Sequence, residues 1–178
     1  MAANNAVLAR YLAEDLDVAT ARELLLKVTT NSNEAGDRIL LQNNCAVLSI
    51  HAGALSDARA ALQLSRLSLL ETEKPDQYHE YFVNNNLAGL LALNGEIEEA
   101  QQMMDLCDEA AKRFYPAISA TIRRRQELIR EAINEAPNLS VQEFDTYLIR
   151  NYGMQVGPQW SFYGRGFLLS DIQYWSAD

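Results

Sequence analysis

Few side chains in this sequence are spaced for catalysis. A zinc hydrolase of the His-Glu-x-x-His type needs two imidazoles one helical turn apart with a general base between them. His79-Glu80 begins that pattern, but Asn84 rather than a histidine stands near the required spacing, and His51 has no metal-type companion close by. Neither a GxxxxGK[ST] phosphate loop nor a GxSxG nucleophile elbow occurs, and Gly164-Arg165-Gly166 is too short to serve as a nucleotide loop. Cys45 and Cys107 fit no CxxC or Cys/His metal spacing and fall within apolar helical patterns, so they read as buried free thiols. Carboxylates cluster at Glu96, Glu98 and Glu99 and again at Asp105, Asp108 and Glu109. Each group lies within one expected helix, where it forms a solvated face. No catalytic, cofactor-binding or metal-binding residue is assigned, and the chain is read as a non-enzyme.

The elements that position these residues are announced by an internal repeat. Asn43-Asn44-Cys45-Ala46-Val47-Leu48, Gly53 and Ser56-Asp57-Ala58 are matched by Asn85-Asn86-Leu87-Ala88-Gly89-Leu90, Gly95 and Glu98-Glu99-Ala100. Asn44 and Asn86, Ala46 and Ala88, Gly53 and Gly95, and Ala58 and Ala100 are each 42 residues apart. Physical constraint accounts for these positions. Gly53 and Gly95 follow helical patterns and can adopt the left-handed conformation that ends a helix. The alanines let two helices approach closely at their crossing. Leu48, Leu62, Leu90 and Met104 fill the space on either side at helical spacing.

These residues resemble the tetratricopeptide repeat family in its long-period form, similar to kinesin light chain repeats, in which an Asn-Asn-Leu-Ala-like helix precedes a Gly turn and a Glu-Glu-Ala-like helix. The 42-residue spacing departs from the usual 34, and the likeness is good over residues 35 to 115. The resemblance implies an all-α fold: a right-handed solenoid of about four antiparallel helical hairpins over residues 1–152, followed by an aromatic, Gly-containing tail over 153–178. It also implies a protein or peptide partner held in a concave groove. Asn44 and Asn86, with Asn43 and Asn85 beside them, are then the residues expected to meet the partner's backbone, since a carboxamide offers both donors and an acceptor. Val47, His51, Phe82 and Gly89, one turn away, would add specificity. The plainer alternative is that the asparagines tie one hairpin to the next. The helix after Pro116 carries Leu128 where a further asparagine would fall, so the ladder has two clear rungs.

Outside the matched pair, Asn5 to Thr30 reads as an earlier, looser hairpin, with Asp17 at the turn where glycine is expected. Ser56 is a candidate N-cap, Pro75 and Pro116 are placed to open helices, and Ser140 precedes a short apolar stripe of Val141, Phe144, Tyr147 and Leu148. That makes about eight helices. From Gly153 the composition turns to Gly and aromatics, including Trp160, Phe162, Tyr163, Phe167, Tyr174 and Trp175. Such a segment must pack, either as a cap on the solenoid or on a partner or second copy, with Trp160 and Arg165 as anchors.

At 178 residues with 48% hydrophobic residues the chain can bury a core without disulfides. Its net charge of −9 repels phosphate backbones and anionic lipid, which argues against nucleic-acid and membrane partners. The basic run Arg123-Arg124-Arg125 reads as a solvated helix face. Met-Ala-Ala-Asn-Asn lacks signal-peptide character and no apolar run is long enough to span a bilayer, so a cytoplasmic location is expected. The functional expectation is an adaptor or the sensor portion of a regulatory assembly. The alternatives are a small helical hydrolase or phosphatase-like regulator, and an assembly subunit that self-associates through its tail.

Overall fold

The computed structural model describes residues 2–30, 35–72 and 77–114, with Arg130, Glu131, Ile133, Asn134, residues 138–140 and Glu143. Among these residues the secondary structure is helical: α1 (Ala2–Leu12), α2 (Val18–Thr30), α3 (Ala35–His51), α4 (Leu55–Glu71), α5 (Gln77–Leu93) and α6 (Ile97–Phe114). Pro75, Pro116, the arginine run and the aromatic tail lie outside the described residues.

Successive helices pack in pairs, α1 on α2, α3 on α4 and α5 on α6; α2 also meets α3, α4 meets α5, and α3 lies against α5. The small residues of the repeat are interior: Ala46, Ala58, Ala88 and Ala100 are fully buried, and Leu48, Leu62, Leu90 and Met104 belong to the same core.

The 42-residue offset is written into the hydrogen bonds as well as the sequence. Gly53 and Gly95 have φ of +76° and +80°. In each turn the glycine N–H donates to the carbonyl three residues back, Ile50 or Ala92, and the next N–H donates to Ser49 or Leu91. These bonds satisfy carbonyls at the helix end that have no partner within the helix. Ser65 Oγ donates to the Ile39 carbonyl at 2.8 Å, and Cys107 Sγ donates to the Tyr81 carbonyl at 3.7 Å. Both donor and acceptor have moved by 42 positions, so the second helix of each pair meets the first at the same height.

Two helix starts differ from expectation. The left-handed position of the first turn is Glu14, with φ of 61°, rather than Asp17. Asp17 instead caps α2: Oδ1 accepts the Thr20 backbone N–H at 2.8 Å and Oδ2 accepts the Thr20 hydroxyl at 3.0 Å. The left-handed residue and the cap are three positions apart in this unit, whereas Gly53 and the Ala54 cap are adjacent. Ser56 does not cap α4, because the helix begins one residue earlier and the N-cap is Ala54, which makes no side-chain bond. At the far end, Ser140 and Glu143 exchange bonds reciprocally, Glu143 N–H to Ser140 Oγ at 3.2 Å and Ser140 N–H to Glu143 Oε2 at 2.8 Å. This is a capping box, the start signal expected at Ser140.

Arginines join neighbouring pairs. Arg22 on α2 donates to Ser49 Oγ on α3 at 2.8 Å and pairs with Asp57 on α4. Arg59, placed after Ala58 as Arg22 is after Ala21, grips Glu96 with both guanidinium nitrogens at 2.5 and 2.7 Å. Arg130 reaches Gln101, Asp105 and Asp108 of α6 at 2.7 to 2.8 Å, and Ile133 is fully buried in the core. Packing thus continues beyond α6.

Candidate functional site

Asparagines from α1, α3 and α5 meet in the interior. Asn4, Asn43, Asn44 and Asn86 have no solvent exposure, and Asn85 has 4%. Their carboxamides form one directed chain. Asn85 Nδ2 donates to Asn86 Oδ1 at 3.2 Å, Asn86 Nδ2 to Asn43 Oδ1 at 2.9 Å, and Asn43 Nδ2 to Asn44 Oδ1 at 3.4 Å. Asn44 Nδ2 then donates to Asn4 Oδ1 at 3.0 Å, and Asn4 Nδ2 to Asn5 Oδ1 at 2.9 Å. Two links join separate helices, Asn86 to Asn43 and Asn44 to Asn4; the others join neighbours in sequence.

Burial demands such pairing, because an amide removed from water without a partner costs about 1–3 kcal/mol. The 3.6-residue period brings it about: adjacent asparagines diverge by about 100° around the helix. One can therefore reach the preceding helix while the other reaches the next. A single asparagine per helix would reach only one neighbour.

The ladder brings together four of the residues singled out in the sequence, Asn43, Asn44, Asn85 and Asn86, and adds Asn4 and Asn5 of α1. Asn4 was legible only through the loose echo of Ala6-Val7-Leu8 with Ala46-Val47-Leu48. Near the ladder, Phe82 is buried with its ring edge-on to Tyr81 at 6.0 Å, and Val47 and Gly89 are buried beside it in sequence. His51 closes α3 and is partly exposed. Its Nδ1 lies 2.9 Å from the Tyr11 hydroxyl, with the rings tilted at 31°, so the ends of α1 and α3 are joined there as well. Trp160 and Arg165 lie outside the described residues.

Electrostatics offers little reactive chemistry among the described groups. Both cysteines are buried free thiols. Burial pushes the Cys45 thiol above its ordinary value, against a 3.6 Å contact with the Thr29 hydroxyl and the field of Arg22, and so keeps it protonated. The Glu96 carboxyl is held low by its hydrogen bonds from Arg59. No group of three or more His, Cys, Asp or Glu side chains among the described residues is arranged to hold a metal ion. No helix among them is long and apolar enough to cross a membrane.

One surface was not anticipated. On α4, Leu64, Leu67 and Leu70 are exposed at 52%, 55% and 76%, while Ala58, Leu62, Ser65 and Leu69 of the same helix are buried. Leucine is spread around this helix, so the spacing that placed Leu62 inward did not single out Leu64, Leu67 and Leu70 as the exposed ones.

The arrangement is that of an all-helical protein whose first helices are joined in register by buried carboxamides. No family model matches the chain, and neither a curated protein nor a solved structure is found to be similar to it.

Proposed function

We propose that the chain is a non-enzymatic protein- or peptide-binding module, a solenoid of helical hairpins of the tetratricopeptide type that serves as an adaptor or the sensing part of a regulatory assembly. The observation that carries this reading is the ladder from Asn85 to Asn5, which fixes α1, α3 and α5 side by side. Helices held in one register present one continuous face, and an extended peptide is recognised by such a face along its length. Asn43, Asn44, Asn85 and Asn86 form the floor of that face, and His51 and Phe82 stand at its sides. The recurring turns, the matched Ser65 and Cys107 bonds and the arginine links support a repeating architecture. The asparagines act mainly by shaping the face, since their amides are already engaged with one another.

Selection of binders from a random peptide library on the immobilised full-length chain, followed by calorimetric titration, tests the proposal. Saturable binding weakened about tenfold, or 1.4 kcal/mol, by His51→Ala or Phe82→Ala in a folded protein is the expected result. Failure to select any saturable binder would count against it. Reproducible hydrolysis of a phosphate or carboxylic ester, lost in Asp108→Asn, would favour the enzyme alternative.

A further inference from the structure

Asn94-Gly95 is the one Asn-Gly pair in the sequence, and it lies in the turn between α5 and α6. Its counterpart in the first repeat, 42 positions earlier, is Ala52-Gly53. The two turns share their geometry: both glycines are left-handed, and the residue before each donates to the carbonyl four back, Leu48 or Leu90. Asparagine is therefore not needed to make this turn, since alanine makes it at position 52. What Asn94 adds is an exposed carboxamide with a glycine nitrogen next to it in the chain. A Cβ built at Gly95 meets nothing within 4 Å, so nothing packs over the glycine. Glu96, the next residue, is gripped by both guanidinium nitrogens of Arg59 on α4. Its carboxyl is held low by those bonds first and by the Asn94 side chain in smaller part.

We infer that Asn94-Gly95 is a deamidation site, at which hydrolysis of a single side-chain amide loosens the tie between α4 and the start of α6. The Gly95 nitrogen gives up its proton and bonds to Asn94 Cγ, the Cγ–Nδ2 bond breaks, and the amide nitrogen leaves as ammonia. Water then opens the cyclic imide at either carbonyl, leaving aspartate or its isoaspartyl isomer. Water enters, ammonia departs, and nothing is oxidised. Glycine favours ring closure because it brings no side chain against the attacking nitrogen. The asparagines of α1, α3 and α5 each precede a residue that carries a side chain, and they lie within helices. The Gly95 N–H is engaged with the Ala92 carbonyl at 2.9 Å, so the reaction proceeds as the last turn of α5 opens, and helix ends open at little cost. The new carboxylate replaces a donor to Glu96 with a like charge, and the isoaspartyl form adds a methylene to the main chain inside the turn. Both changes act on the residue that Arg59 holds.

The test incubates the full-length chain at mildly alkaline pH in 18O-enriched water and follows position 94 by peptide mapping with mass spectrometry. Conversion at Asn94 with uptake of the heavy oxygen is expected, faster than at the asparagines of α1, α3 and α5 and accelerating with hydroxide. Asn94→Ala, which copies Ala52, should fold as the parent does and show no conversion in that peptide. The converted chain, separated by anion exchange, should melt at a lower Tm than the unconverted chain. Arg59→Gln removes the tie beforehand and should shrink that difference. Conversion that appears only in urea and not in the native chain overturns the inference, because the bond to Ala92 then protects the site. Conversion in the native chain with an unchanged Tm would refute the loosening of the tie.

Discussion

Asn86 on α5 donates from Nδ2 to Oδ1 of Asn43 on α3 over 2.9 Å, with both side chains buried. The bond is a tertiary contact between α3 and α5 made by two residues 43 positions apart, one more than the repeat offset, so it joins non-equivalent members of the two asparagine pairs. Because donor and acceptor both lie out of water, deleting one costs more than the bond itself contributes.

Asn86→Ala is therefore expected to lower stability by about 1–3 kcal/mol. Replacing both partners, Asn43→Leu with Asn86→Leu, should cost less than the two single changes together, with a coupling of about 0.5–3 kcal/mol in urea denaturation. Strict additivity would show that the ladder link carries no energy.

Gly53→Ala and Gly95→Ala isolate the backbone conformation from packing, since a Cβ built at either position meets nothing within 4 Å. Each should cost about 1–2 kcal/mol, the penalty of a left-handed conformation for a residue with a side chain. At Glu14 the reverse holds. Glu14→Gly relieves that penalty, leaving a net gain of up to about 1 kcal/mol after the entropy of glycine is subtracted. Thermal melts of the three variants check the set.

Asp17 and Glu143 give the stability a defined acid dependence. Backbone and side-chain hydrogen bonds from Thr20 lower the Asp17 pKa, and those from Ser140 lower that of Glu143. A carboxyl lowered in the native state adds stability above its unfolded pKa and loses it as pH falls through the native value. Unfolding free energy should accordingly decline below the ordinary carboxylate range. Asp17→Asn, which keeps a capping oxygen without the charge, should flatten part of that decline. An unaltered acid profile would dissociate the cap from the titration.

Interchange of Ser65 and Cys107 probes the matched register. Cys107→Ser keeps a donor facing the Tyr81 carbonyl and should change stability by less than about 1 kcal/mol, whereas Ser65→Ala removes the bond to Ile39 and should cost about 1 kcal/mol. Denaturant midpoints compare the two directly.

The α4 leucines sort by face. Leu67→Lys should leave stability within about 0.5 kcal/mol of the parent, while Leu62→Ala should cost about 2–5 kcal/mol. Comparable losses at both positions would mean that the exposed face is covered in solution.

Gly53, Gly95 and the four buried alanines could be read from the chain, because each answers a local requirement: a left-handed φ, or an apolar side chain at a helical spacing that faces inward. The same holds for the helical class and for the start signal at Ser140. Asp17 was misplaced because a turn residue and a cap residue draw on the same amino-acid types, and only backbone angles separate them. Ser56 failed as a cap for a similar reason, since the helix starts at Leu55, two residues before the start a Ser56 cap requires.

The asparagines mark the boundary between the two kinds of information. Sequence alone determined that Asn43-Asn44 and Asn85-Asn86 are equivalent pairs, since a fixed offset is a property of the string. Tertiary structure decided that Asn86 reaches back to Asn43 while Asn44 reaches Asn4, because which neighbour a carboxamide meets depends on how the helices cross and how deeply each side chain lies. It likewise decided that the oxygens of Gln42, Asn84 and Asn85 accept no bond from the described residues. Hydrogen-bond satisfaction belongs to the assembled interior, and no spacing along the chain encodes it.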